Sequence, residues 1–164
     1  MNCCFIGHRI IKNKEKLFSA VKEKVEGLIK NDGFDTFFFG SVGQFNNLCL
    51  EIVTELQNEY RHIKRIYVRA EYQNISTDYE KYILESYDET YFPKKVIKAG
   101  KLAYVLRNEE MIDKSYICIF YCNKNYTPPS KIKTKPFCKE TKSGTELALT
   151  YAKKKNKHII TVSD

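Results

Sequence analysis

The chain has 164 residues, 43% of them hydrophobic, a length and apolar content that suit one domain over residues 1–164 with one substantial core. Its 28 Lys and Arg against 20 Asp and Glu leave a formal charge of +8, which favours anionic partners such as phosphates or nucleic acid. Seven Gly, four Pro, twelve Tyr and ten Phe argue against a fibrous repeat or a disordered polar chain. No apolar run approaches the roughly 18 residues of a membrane span.

The first run, CCFI, is short and β-prone, and EKLFSAVKEKVEGLIKNDG follows it after a polar loop. Leu17, Val21, Val25 and Leu28 recur there at helical steps, which predicts an amphipathic helix stopped by Gly33. DTFFFG reads as a second strand, and GQFNNLCLEIVTELQNEY as a second helix with Leu48, Ile52, Val53 and Leu56 on its apolar face. IKRIYVRAEY supplies a third strand through Ile63, Ile66 and Val68.

The polar, tyrosine-rich stretch NISTDYEKYILESYDETYFPKKVIKAG is less regular, with a short helix around 79–84 and Pro93 limiting any extension. KLAYVLRNEEMIDKS is then a helix and YICIFYC a fourth strand. NKNYTPPSKIKTKPFCKETK holds three of the four prolines and reads as a long basic loop, 123–142, of a length that is usually functional or mobile. SGTELALTYAKKKNK is the last helix and HIITV the last strand. About five strands alternating with helices predict an α/β, Rossmann-like, doubly wound and mostly parallel sheet with helices on both faces.

Six cysteines invite a disulfide or zinc reading. Cys3, Cys4 and Cys118 lie in strand-like runs and Cys49 on an apolar helix face, where a free thiol acts as a small hydrophobe. Cys118 and Cys122 are separated by IFY and form no Cys-x-x-Cys pair, and Cys138 sits in the basic loop. No metal site or organic cofactor is expected, and the absence of a leader or membrane span fits a reducing cytoplasm.

In doubly wound sheets ligands bind outside the carboxyl ends of the strands, where strand order reverses. Gly7, His8 and Arg9 follow the first strand, Gly40, Ser41 and Gly43 follow the second, and Ser143, Gly144 and Thr145 precede the last helix. Glycines let backbone approach a ligand, helix N-terminal N–H groups receive anions, and Arg9 offers a bidentate clamp. Neither a Walker loop nor a Gly-x-Gly-x-x-Gly fingerprint is present.

The order CCFIGHR, FFFGSVGQFNNLCLEIVTELQNEY, RIYVRAEY, YDETYFP, LRNEEMID and SGTELALTYAKKKNKHIITV resembles the small bacterial and phage SLOG-type proteins. These are Rossmann-like relatives of the Lonely Guy phosphoribohydrolases and of the DNA-processing protein A domain. The resemblance covers nearly the whole chain. Its most specific parts are the Gly-His-Arg step, the Gly-x-x-Gly-x-Phe segment ending at Phe45, and Arg107-Asn108 with Met111. It implies a nucleotide or nucleotide-derived phosphorylated ligand more firmly than a reaction, and a homo-oligomer, a dimer paired through helices. Two departures stand out: Asn46 where relatives often carry Asp, and Ser143-Gly144 where they tend to have a Gly-Gly pair.

The hydrolytic relatives carry a catalytic Glu three positions after the Thr of their Gly-Thr step, and that position is Ala148 here. Glu146 lies two residues earlier, about 200° around a helix, where it suits the helix N-terminus. Asp88 and Glu71 are the other acids expected on the ligand side, and neither has a partner at diagnostic spacing. No catalytic residue is assigned. Ligand binding or sensing ranks first, N-glycosidic cleavage second, and single-stranded nucleic-acid binding third. The third rests on charge and on tyrosines such as Tyr87, Tyr91 and Tyr104, candidates for a base-stacking wall.

Overall fold

The computed structural model describes residues 1–40, 43–123, 126 and 143–163. In chain order these form β1 (Asn2–Gly7), α1 (Lys14–Asp32), β2 (Thr36–Phe39), α2 (Gln44–Glu59), β3 (Lys64–Val68), α3 (Thr77–Leu84), β4 (Glu89–Tyr91), α4 (Ala103–Lys114), β5 (Ile117–Tyr121), α5 (Gly144–Lys154) and β6 (His158–Val162). Two short 3-10 turns, Lys94–Val96 and Gly100–Leu102, lead into α4. The basic loop, with Cys138, lies outside the described residues apart from Asn123 and Tyr126.

All six strands join one parallel sheet in the order β4-β3-β2-β1-β5-β6. The order reverses between β1 and β5, where Cys4 pairs with Cys118 and Gly7 with Tyr121. That reversal is the switch point of a Rossmann-like doubly wound sheet. β1 and β5 are buried on both faces, which is why they read as unbroken apolar runs. Cys3, Phe5, Phe37 and Phe39 face α1 and α2, while Cys4, Ile6, Phe38 and Cys118 face Met111 and Ile112 of α4 and Ala148 and Ala152 of α5.

The helices begin and end where local chemistry dictates. The Asn13 side chain accepts from the Lys16 N–H at the start of α1, and Gly33, at φ 66°, closes it with the Phe34 N–H donated to the Leu28 carbonyl. Ser76 caps α3 by accepting from the Tyr79 N–H at 3.2 Å. β4 is the strand that the sequence pattern does not predict. Its three residues, Glu89, Thr90 and Tyr91, are a short polar edge with no apolar alternation to reveal it.

The first turn of α2 packs directly on the end of β1. Phe45 is fully buried and lies over Gly7, so that a Cβ at position 7 would overlap its ring. The same ring stacks on Tyr121, with centroids 5.5 Å apart. Gly7→Ala is therefore expected to lower unfolding free energy by about 1–3 kcal/mol through overpacking. Gly144→Ala is the control: a Cβ there meets nothing within 4 Å, and its effect in chemical denaturation is expected to stay within about 1 kcal/mol of zero. Equal stability of Gly7→Ala and the unaltered chain would contradict this docking.

Candidate functional site

The carboxyl ends of β1, β2 and β3 carry most of the residues singled out in the sequence. His8 extends the ladder by donating its backbone N–H to the Tyr121 carbonyl at 3.3 Å. Its ring is 2% exposed, stacked 3.9 Å from Tyr126 and edge-on to Tyr121. Nε2 lies 3.2 Å from the Asn123 carbonyl, which can only accept, so Nε2 carries the proton. Nδ1 is left as a buried acceptor without a partner. Burial lowers the His8 pKa against the Asn123 carbonyl and the more distant Glu146, and the ring is neutral at physiological pH.

Arg9 is exposed, and its backbone locks the two turns together. Its carbonyl accepts from the Gln44 N–H at 2.8 Å, while the Gln44 side chain accepts from the Ile11 N–H at 3.0 Å. Gly43, at φ 120°, brings its Cα so close to Arg9 that a Cβ would stand 3.0 Å from the Arg9 Cα. Ser41 lies outside the described residues.

Gly40 follows β2 and has the Arg107 guanidinium against its Cα, so that a Cβ would sit 2.5 Å from Cζ. Arg107 comes from α4 and is 6% exposed. Nε donates to the Asn108 Oδ1 at 3.0 Å and Nη1 to the Val68 carbonyl at 3.4 Å, and Cζ stands 5.7 Å from the Tyr104 ring centre. No salt bridge joins it to a carboxylate among the described residues. Burial lowers its pKa to about 10, opposed from a distance by Tyr67, Tyr87 and Glu71. The group is still a cation at neutral pH, held where an unpaired charge is costly.

After Gly40, α2 starts without a side-chain cap among the described residues. Gly43 gives no side-chain cap, the first turn has no acidic residue, and Asn46 keeps a buried Oδ1 without a partner. The Asn46 side chain is bonded to the Tyr87 hydroxyl, whose pKa burial pushes up to about 12. Arg69, one residue beyond β3, also has a buried Nε without a partner. Arg69 was not among the residues singled out, although a cation directly after a strand is the same signal that marks Arg9.

α5 is different. Ser143 Oγ accepts from the Glu146 N–H at 3.2 Å, and a Glu146 carboxylate oxygen accepts from the Ser143 N–H, closing a capping box. The box satisfies the Ser143 and Glu146 N–H groups and leaves those of Gly144 and Thr145 outside it, with Thr145 buried. Gly144 and Asn108 instead line a groove of about 200 Å³ between α4 and α5, with Val105, Leu147, Ala148 and Tyr151.

Two expectations need correction. Asp88 is not on the ligand side: it sits at the opposite, amino end of the sheet, where Oδ2 accepts from the Arg65 N–H at 2.7 Å and from Gln57, and Oδ1 from Arg65 Nη2. Burial acts to raise its pKa, and these donors outweigh it and hold the carboxyl below its usual range. Tyr87, Tyr91 and Tyr104 do not form one wall, because Tyr87 packs with the α1–α2 face and Tyr91 with the α4–α5 face. Tyr67 stacks on Tyr87 instead, with centroids 5.0 Å apart.

No family model matches the chain, and no curated protein matches it. No helix among the described residues is long and apolar enough to cross a membrane.

The neutral, buried His8 has a pH signature. A folded pKa below the unfolded value of about 6.5 gives stability that is complete above that value and lost as pH falls through the folded pKa. Urea unfolding between pH 7.5 and 5 is expected to show falling stability in the unaltered chain and a flatter profile in His8→Gln. Parallel profiles would contradict a buried neutral ring.

Proposed function

We propose that the carboxyl edge of the sheet binds a nucleotide or nucleotide-derived phosphorylated ligand, and that the chain acts by binding or sensing it. The observation that carries the proposal is Arg107, a guanidinium 6% exposed with no carboxylate bridged to it among the described residues. An anion is the partner such a group lacks, and a phosphate matches its planar fork. The uncapped N-terminus of α2 adds N–H groups and a positive dipole end. Arg9 stands exposed at the mouth, its guanidinium making no hydrogen bond with a described residue.

The resemblance to SLOG-type proteins supports the same reading through Gly7-His8-Arg9, Gly40, Gly43, Phe45 and Arg107-Asn108. Binding is favoured over N-glycosidic cleavage because Ala148 offers only a methyl group, 3% exposed, where the hydrolytic relatives carry a glutamate. The Glu146 carboxylate is engaged in the α5 cap.

Thermal-shift screening of mono-, di- and cyclic nucleotides tests the proposal. A ligand at a hundredfold excess over its Kd is expected to raise Tm by about 5–10 °C. Arg107→Met should abolish the shift and Arg9→Ala reduce it, while failure of every nucleotide at millimolar concentration would remove the proposal.

Nucleoside monophosphates should release no free base above background, since a missing acid, base or charge-stabilising group costs about 10²-fold or more in rate. Robust release lost in Glu146→Gln would install the glycosidase reading instead.

A further inference from the structure

α3 is anchored to the fold by one buried residue, Ile83. Its other side chains are exposed, among them Tyr79 at 39% and Tyr82 at 67%, and Tyr72 in the preceding loop is exposed at 67%. The three rings form a continuous surface: Tyr79 and Tyr82 stack with centroids 6.2 Å apart, and Tyr72 meets Tyr79 edge-on at 6.3 Å. The turn that carries Tyr72 is pinned from below by Arg69, whose Nη1 donates to the Tyr72 carbonyl at 2.7 Å. The surface is therefore held in place, and no element among the described residues covers it.

Its charge runs against the rest of the chain. Residues 71–90 hold six carboxylates and one lysine in a chain of net charge +8. Asp88 and Glu89 are paired with Arg65 and Lys64 at the amino end of the sheet. Glu71, Asp78, Glu80 and Glu85 make no ion pair among the described residues and are exposed. Asp78, Tyr82 and Glu85 follow helical spacing along one face, so a ring lies between two carboxylates. Nucleic acid is repelled by such a face. A cationic side chain is attracted twice, by the carboxylates and by the tyrosine rings.

We propose that the Tyr72–Tyr79–Tyr82 face of α3 is a docking surface for a lysine- or arginine-rich segment of a partner protein. This surface is independent of the ligand at the carboxyl edge, and the proposal stands or falls separately from it.

The probe is a capped peptide of alternating arginine and serine, titrated into the ¹⁵N-labelled chain, with a glutamate-for-arginine peptide as control. Saturable shifts are expected at the amides of residues 72–85, absent with the acidic peptide and strongly reduced at about 0.5 M salt. Tyr82→Ala and the double variant Asp78→Lys with Glu85→Lys should each weaken binding about fivefold or more. Both changes lie on the outward face, so the amide spectrum outside α3 should stay unchanged, and Tyr82→Ala, which leaves the first-turn carboxylates in place, should keep its Tm. Shifts centred elsewhere, or equal affinity in these variants, would overturn the proposal. Concentration-dependent self-association lost in the same variants, without peptide binding, would overturn it in favour of a second copy as occupant.

Discussion

The Arg107 guanidinium resting on Gly40 governs how the carboxyl edge is built. It reaches from α4 across the end of β2 to within 3.4 Å of the Val68 carbonyl at the end of β3, resting on these strand ends without a strong bond to either. Only a glycine at position 40 leaves room for it. Three weak supports, a 3.4 Å bond to Val68, a side-chain bond to Asn108 and the Tyr104 ring, stand where a buried cation would be expected to have a carboxylate. Burial drags its pKa down to about 10 without neutralising it. The fold thus holds a buried charge with no carboxylate bridged to it among the described residues, on the face of the sheet packed by Phe38, Val68, Met111 and Ile112.

The two ends of the sheet show opposite solutions to the same electrostatic problem. At the amino end, Arg65 meets Asp88 and Lys64 meets Glu89, so charges there are matched within the chain. At the carboxyl end, Arg107 and the partnerless atoms of Asn46, Arg69 and His8 follow the strands or begin α2, which has no side-chain cap. At the start of α5, Ser143 and Glu146 satisfy each other's N–H groups in a capping box. α2 and α4 both start without a side-chain cap, and the start of α2 differs in following closely on Gly40 and its contact with Arg107.

Local chemistry made most of the fold legible. Helical spacing of Leu17, Val21, Val25 and Leu28, with Gly33 beyond them, is a periodic signal plus a stop, and both survive into the structure. β4 was hidden because an edge strand of three polar residues needs no apolar face. The site was legible only in part. The Gly-His-Arg step and Gly40 were visible as turn residues, but their partners are set by packing: Phe45 on Gly7 and Arg107 on Gly40 are contacts between distant segments. The position of Asp88 depended on the unseen β4, which carries it to the amino end.

The most direct test of the account is the unfolding free energy of the ligand-free chain compared with Arg107→Met. Methionine fills similar space without a charge, so removing an unmatched buried cation is expected to leave stability unchanged or raise it by about 1–3 kcal/mol. A loss of several kcal/mol would contradict the account, because it would mean that the guanidinium holds the fold together and is not kept in reserve for an anion.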